Sequence, residues 1–219
     1  MTANVPMLRT EPANPAHASA LGALFDAAGC PCHCRYWHFE GDKNAWLERC
    51  ALAPEQNQAE QAAALAAGTD DAAGIVALVG DDIVGWLKLA PRAALGKLLR
   101  LGAYRPLGLA QDPGVLGIGC VLVHPAHRAR GVARALIVGA VEHGARVGAH
   151  TIEAYPLRAQ ERLRDDELGR GPEALYRSLG FTAMAAPVLA GAAHAMFGAE
   201  PTGAYPVLRR PLSPVRDKP

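Results

Sequence analysis

Apolar positions along this chain follow two periods, and the switch between them divides it. Residues 16–28 place Leu21, Leu24 and Phe25 on one face of a helix. Residues 55–67 (EQNQAEQAAALAA) are strong helix formers. Between them, residues 31–50 mix Pro, Cys, His, aromatics and Gly with no clean period, which predicts a loop leading into a short helix. From Gly74 the period becomes that of strands. GIVALVGDDIVGWLKLAP holds two β-rich runs separated by Gly80, Asp81 and Asp82, a hairpin signal. Residues 91–113 are irregular, and Pro91, Pro106 and Pro113 limit any helix there. GVLGIGCVLV, residues 114–123, predicts a buried strand, residues 132–149 a helix and residues 151–155 (TIEAY) another strand. Residues 172–181 predict a helix stopped by Gly180. Residues 5–10 (VPMLRT) suit a short opening strand, the charged stretch 158–170 a solvated loop, and YPVLRRPL a weak strand near the end. No repeat is visible, and the order of elements predicts an α/β fold with one central mixed sheet flanked by helices.

Length and composition narrow the picture. A chain of 219 residues, half of them hydrophobic, suits one domain with its own core. The expected layout is an N-terminal strand and helices over 5–70, a core over 73–185, and a strand segment with a tail over 186–219. A net charge of +1 gives no reason to expect a nucleic-acid partner. The start lacks a basic segment followed by an apolar run, and no window approaches the roughly 20 apolar residues of a membrane span, so neither a signal peptide nor a membrane partner is expected. Five cysteines, with Cys30, Cys32 and Cys34 crowded together, make a poor disulfide framework and fit a reducing, cytoplasmic setting. With His33 and His38 nearby, the cluster raises the question of zinc. Its Cys-x-Cys spacing is less typical than Cys-x₂-Cys and no second pair follows, so no metal is expected.

The stretch from Val121 to Leu136, VLVHPAHRARGVARAL, carries the chemistry. A buried strand enters a tight loop and then a helix. The free N–H groups and positive dipole end of such a helix suit a pyrophosphate. Gly131 lets a phosphate approach the backbone, and Arg128, Arg130 and Arg134 add positive charge. The alternative is an ordinary strand-to-helix turn with basic surface residues. The Lys-Ser/Thr ending of a P-loop and the spaced glycines of a dinucleotide fingerprint are both absent.

Here the sequence resembles the GNAT acetyltransferase superfamily. Its acetyl-CoA signature is Arg or Gln, two residues, Gly, one residue, then Gly or Ala, matched by Arg128, Gly131 and Ala133, with the family's Val-x-Pro as Val123-His124-Pro125. Downstream, Ala174, Leu175, Tyr176, Gly180 and Phe181 resemble the helix that follows the family's fifth strand. The segments CPCHCRYW, GWLKLAPR and IEAYP are similar to a branch of the family with a Cys-x-Cys near its first helices. The resemblance covers about residues 73–185 well and the first 70 loosely.

It implies the GNAT fold, with the sheet splayed open between the fourth and fifth strands. It implies acetyl-CoA as co-substrate: Val121, Leu122 and Val123 pairing with the pantetheine arm, and Arg128, Ala129, Arg130, Gly131, Val132, Ala133 and Arg134 around the pyrophosphate. The activity implied is direct acetyl transfer to a small-molecule or peptide amine. Tyr176 would protonate the departing thiolate, its other reading being a core tyrosine. Glu153 is either the base, directly or through water, or a paired structural carboxylate. Cys34 and Trp37 would face the acceptor. A catalytically silent acyl-CoA-binding or sensor protein is the rival reading, and a homodimer is compatible with either.

Overall fold

The computed structural model describes residues 7–101, 104, 109, 112–156, 169–184 and 206–213. Seven strands form one sheet: β1 (Leu8–Pro12), β2 (Gly74–Val79), β3 (Asp82–Pro91), β4 (Val115–Val123), β5 (Thr151–Ala154), β6 (Thr182–Ala183) and β7 (Leu208–Pro211), in the order β1-β2-β3-β4-β5-β7-β6. Neighbours are antiparallel except β4 and β5, which run parallel. The parallel pair needs a crossover, and helix α5 (Val132–Arg146) supplies it. Gly80, at φ 62°, turns the β2–β3 hairpin.

Alternate side chains of the strands feed two cores. Ile75 and Ala77 point to one face, where Leu136, Ile137 and Ala140 of α5 cover them. Val76 and Leu78 point to the other, against Leu21, Leu24 and Phe25 of α1 (Ala18–Ala27) and Leu65 of α3 (Pro54–Ala67). Because both faces are covered, β3 is buried almost end to end, which is why its sequence reads as a continuous apolar run. The one charge in that run, Lys88, is fully buried.

The opening strand begins three residues later than expected, and it tolerates Pro12 because β1 is a sheet edge. Residues 31–50 fold as a loop, a single 3-10 turn (Tyr36–His38) and α2 (Lys43–Leu52). The Asp42 carboxylate caps α2 by accepting the Ala45 N–H at 2.9 Å. Within 91–113 the structure adds a short helix, α4 (Gly96–Arg100). Helix α5 stops at Arg146, short of residue 149, because Gly148 enters the left-handed region at φ 80°. The last helix, α6 (Glu173–Ser178), is followed by Gly180 at φ 83°.

Two features shape the cleft. The β3–β4 register pairs Lys88 with Cys120 and Leu89 with Ile118, so Gly119 is the extra residue of a bulge. Strand β5 pairs only with residues 115–118 of β4, from Val115↔Thr151 to Ile118↔Ala154. Past the bulge, β4 diverges from β5 and leaves backbone groups of residues 119–123 without a β5 partner.

Candidate active site

The loop after β4 is built to stay tight. A 3-10 turn over Pro125–His127 is held by the His124 side chain, whose Nδ1 accepts the Ala126 N–H at 3.2 Å. Ala129 and Gly131 then take left-handed conformations, φ 58° and 83°, and Gly131 becomes the N-cap of α5. No side chain caps this helix, and its first turn holds no acidic residue, so its N–H groups and dipole are left for an anion. Val132 is buried, packed so closely on Gly85 that a Cβ there would lie 2.7 Å from Val132 Cγ1. Arg130, Gly131 and Arg134 are exposed, whereas Arg128 and Ala133 are half-buried. Arg134 Nη1 reaches Ser178 Oγ at 3.4 Å, tying the loop side of α5 to α6.

At the split itself, the Val121 N–H donates to the Gly169 carbonyl at 2.8 Å. The next residue's carbonyl, that of Arg170, accepts the Tyr176 hydroxyl at 2.9 Å. The Arg170 side chain donates from Nη1 to the Tyr104 hydroxyl at 3.2 Å, and its guanidinium lies 5.3 Å from the Trp37 ring centre. Trp37 in turn donates its indole N–H to the Gly119 carbonyl at 3.1 Å. Gly169 thus meets β4 at Val121, on the stretch where the resemblance places pantetheine. Gly169 and Arg170 are half-buried here, unlike the solvated loop expected of the charged stretch; residues 157–168 lie outside the described residues.

Tyr176, one helical turn before Gly180, is wholly buried in the core beside Phe181, with its hydroxyl on the Arg170 carbonyl. Burial first, then the neighbouring Cys120 sulfur, raises its hydroxyl above the ordinary tyrosine value, so it is held as a neutral donor.

Glu153 is also wholly buried, in the paired arrangement that was one of its two readings. Its Oε1 accepts from Arg92 Nη1 at 2.8 Å and Arg209 Nε at 2.6 Å, and its Oε2 from the Tyr155 hydroxyl at 2.5 Å. Burial and the adjacent Glu153 charge push the Tyr155 hydroxyl well up.

Cys34 and Trp37 are brought together with β4, both buried, at 4% and 5% exposure. They line the inner wall rather than an open surface. Cys34 packs with Trp86 on the α1 side of the sheet, in the core cluster that Cys120 borders. All five cysteines are free thiols, and no group of three or more His, Cys, Asp or Glu among the described residues is placed to hold a metal ion. No helix among the described residues is long and apolar enough to cross a membrane.

Lys88, Arg92, Cys120, Gly169 and Arg170 join this site without having been singled out from the sequence. Lys88 had a usable signal, a lone charge inside an apolar strand, since a charge there must be paired or functional. Gly169 and Arg170 had none, because their role depends on a contact with β4 some fifty residues earlier in the chain.

A split sheet whose β4 edge opens beside a capless, glycine-led helix defines an acyl-CoA-dependent acyltransferase architecture. The family model of the Acetyltransferase (GNAT) family matches residues 34–181, and the chain belongs to that family: it is an acetyltransferase. Among solved structures it is similar to yncA from Salmonella typhimurium with its cofactor acetyl-CoA (18% identity, 94% of each chain, TM-score 0.51). It is also similar to the paia N-acetyltransferase of Thermoplasma acidophilum in complex with coenzyme A (7% identity, 94% of this chain and 99% of that one, TM-score 0.51). A GCN5-related N-acetyltransferase from Kribbella flavida gives 19% identity over 94% of this chain and 98% of that one, with TM-score 0.51. At these identities the likeness shows the fold. No curated protein matches the chain.

Proposed function

We propose that this protein moves an acetyl group from acetyl-CoA to a small-molecule or peptide amine by direct attack. The observation that carries the reading is the Val121 N–H, on the stretch of β4 that β5 leaves unpaired, which donates to the Gly169 carbonyl next to the Arg170 carbonyl that holds the Tyr176 hydroxyl. Backbone groups of Val121, Leu122 and Val123 would receive the pantetheine arm as an added strand. The N–H groups of 128–133, with Arg128, Arg130 and Arg134, would hold the pyrophosphate.

The residues present fit that ligand. Gly131 has no neighbour within 4 Å of its Cβ position, so the helix end is open on that side. When bound, the co-substrate supplies an activated thioester. The Val121 N–H, released from Gly169, would polarise its carbonyl, an oxyanion-type contribution. Tyr176, released from the Arg170 carbonyl, would give its proton to the departing thiolate. Glu153, with both oxygens already hydrogen-bonded, serves better as the anchor of Arg92, Arg209 and Tyr155 than as the group that takes the amine proton; water is then the carrier of that proton. Cys34 and Trp37 would back the acceptor side of the wall.

Incubation with acetyl-CoA and a panel of small amines and peptides, following free CoA thiol and acetylated product by mass, tests the reading. Acetylated amine supports it. Tight CoA binding with no product from any acceptor would favour the silent binding or sensor protein instead.

A further inference from the structure

Acetyl transfer as described gives Cys30 and Cys32 no work. Their sulfurs lie 3.3 Å apart and share a hydrogen bond, in the loop that follows α1. Both residues are half-buried, so solvent reaches them, and both are free thiols. The backbone is held on each side of the pair. The Cys30 N–H donates to the Phe25 carbonyl at 2.9 Å, and the Cys32 carbonyl accepts the Arg35 N–H at 2.8 Å. Between the two cysteines, Pro31 has a fixed φ, and its carbonyl accepts at 2.9 Å from Nδ2 of Asn57, a wholly buried residue of α3. Arg35 is itself buried and paired with Glu60 and Asp71, each at 3.2 Å.

The two residues after the pair are strained. His33 and Cys34 take left-handed backbone conformations, φ 40° and 58°, although neither is glycine. Such conformations cost energy and persist where the surroundings impose them. Here the His33 ring stacks on Phe25, with ring centres 5.0 Å apart, and Cys34 packs into the core beneath α1. Further along the same loop, Trp37 donates to the Gly119 carbonyl, so the loop ends on the β4 bulge. The fold thus holds two sulfurs in contact in a turn tied at one end to α1 and at the other to the candidate cleft. The shared hydrogen bond gives the sulfurs different roles. Cys32 donates its thiol proton, which holds Cys30 below the ordinary thiol value against the opposing effect of burial, while Cys32 is pushed well up. Cys30 is therefore the sulfur that carries the thiolate.

We propose that Cys30 and Cys32 are a redox-active dithiol, oxidised by a small hydroperoxide to a disulfide within the Cys-Pro-Cys turn. The Cys30 thiolate attacks the peroxide: an S–O bond forms, the O–O bond breaks, and the leaving alkoxide or hydroxide takes a proton from water. The Cys30 sulfenic acid now faces the Cys32 thiol. Cys32 attacks its sulfur, the S–S bond forms, the S–O bond breaks, and the departing hydroxide leaves as water with the Cys32 proton. Two sulfurs have lost two electrons and the peroxide has gained them. Closure draws the sulfurs only from 3.3 Å to about 2.05 Å. The inference is independent of which amine, if any, accepts the acetyl group.

The test uses the wild-type chain, reduced, desalted and treated with equimolar hydrogen peroxide, then alkylated with iodoacetamide in denaturant and digested with trypsin without reductant. Cys30, Cys32 and Cys34 fall in one peptide, residues 10–35, because no Lys or Arg lies between Arg9 and Arg35. The expected peptide has lost two hydrogens and carries a single alkyl group, on Cys34, while Cys50 and Cys120 are fully alkylated. Dithiothreitol before alkylation should restore all five labels. Cys32→Ser removes the second thiol and should leave a Cys30 sulfenic acid that dimedone captures. A disulfide that uses Cys34, Cys50 or Cys120 in place of either residue would overturn the assignment. So would full alkylation of Cys30 and Cys32 after peroxide, or their oxidation to sulfinic acids with no crosslink.

Discussion

Gly131 and Gly148 offer a matched pair of substitutions that separates folding from binding. They flank α5, one at its N-cap and one just past its C-terminus, at φ 83° and 80°, and neither has any atom within 4 Å of its Cβ position. Replacing either with Glu therefore brings no clash, only the left-handed strain of about 1–2 kcal/mol. The helix dipole then separates them. At Gly131→Glu the carboxylate sits at the positive end and returns about 0.3–1 kcal/mol; at Gly148→Glu it sits at the negative end and loses a similar amount. Gly148→Glu is thus expected to be the less stable of the two, by about 0.6–2 kcal/mol, a melting difference of about 1–8 °C at roughly 2–4 °C per kcal/mol. Ligand binding should rank them the other way. Acetyl-CoA at about 100 times its Kd stabilises the wild type by about 2.7 kcal/mol, a rise of about 5–11 °C. Gly148→Glu should keep that rise in full. In Gly131→Glu a negative side chain enters the place of the pyrophosphate. A hundredfold loss of affinity brings the same ligand concentration to its Kd and leaves about 0.4 kcal/mol, a rise of about 1–2 °C. Differential scanning fluorimetry with and without acetyl-CoA reads both orders at once. A full ligand shift in Gly131→Glu, or its loss in Gly148→Glu, would refute the placement of the pyrophosphate on the N-terminus of α5.

Tyr176→Phe removes one hydroxyl and should lower turnover by about 10²–10⁴-fold with acetyl-CoA affinity nearly unchanged; a wild-type rate under chemistry-limited conditions returns Tyr176 to the core tyrosine reading. Glu153→Gln removes the buried carboxylate that Arg92, buried at 2% exposure, pairs with at 2.8 Å. Breaking a buried pair costs about 3–5 kcal/mol, and because Arg209 keeps solvent contact the lower end is expected in urea unfolding. A loss below about 1 kcal/mol, together with loss of the acidic limb of the rate profile, would make Glu153 the base after all. Stability should also fall as pH drops from about 6.5 toward 4. Burial, with help from Lys88, depresses His38 to about 4 in the folded protein, so across that window the unfolded chain binds the extra proton. His38→Gln should flatten this slope, and an unchanged slope would assign it to other groups.

How much of this was readable beforehand depends on the range of the interaction involved. The β2–β3 hairpin, the apolar faces of α1 and α5, and the strand-loop-helix of 121–136 are local patterns, set by residues within a few positions of each other. They sufficed for the α/β class and for naming the end of α5 as the candidate anion site, where Gly131 and its arginines are neighbours in sequence. The helix of Tyr176 was legible because Gly180 stops it; the role of Tyr176 came only from the resemblance. Glu153 was visible as a candidate but ambiguous, since its two readings differ only in what approaches it, and Arg92 and Arg209 come from 61 and 56 residues away. The Gly119 bulge belongs to a register between two strands and has no signature in either alone. Cys34 and Cys120 are separated by most of the N-terminal half of the chain; the Cys-x-Cys pattern raised only the question of zinc, and the fold set Cys34 into a core cluster with Trp86 that Cys120 borders. Short-range period and turn chemistry thus determined the elements and the strand-loop-helix of 121–136. Side-chain company in the cleft was decided by the packing of α1, β3 and β4, because burial of a charge or thiol takes its meaning from whichever distant residue is packed against it.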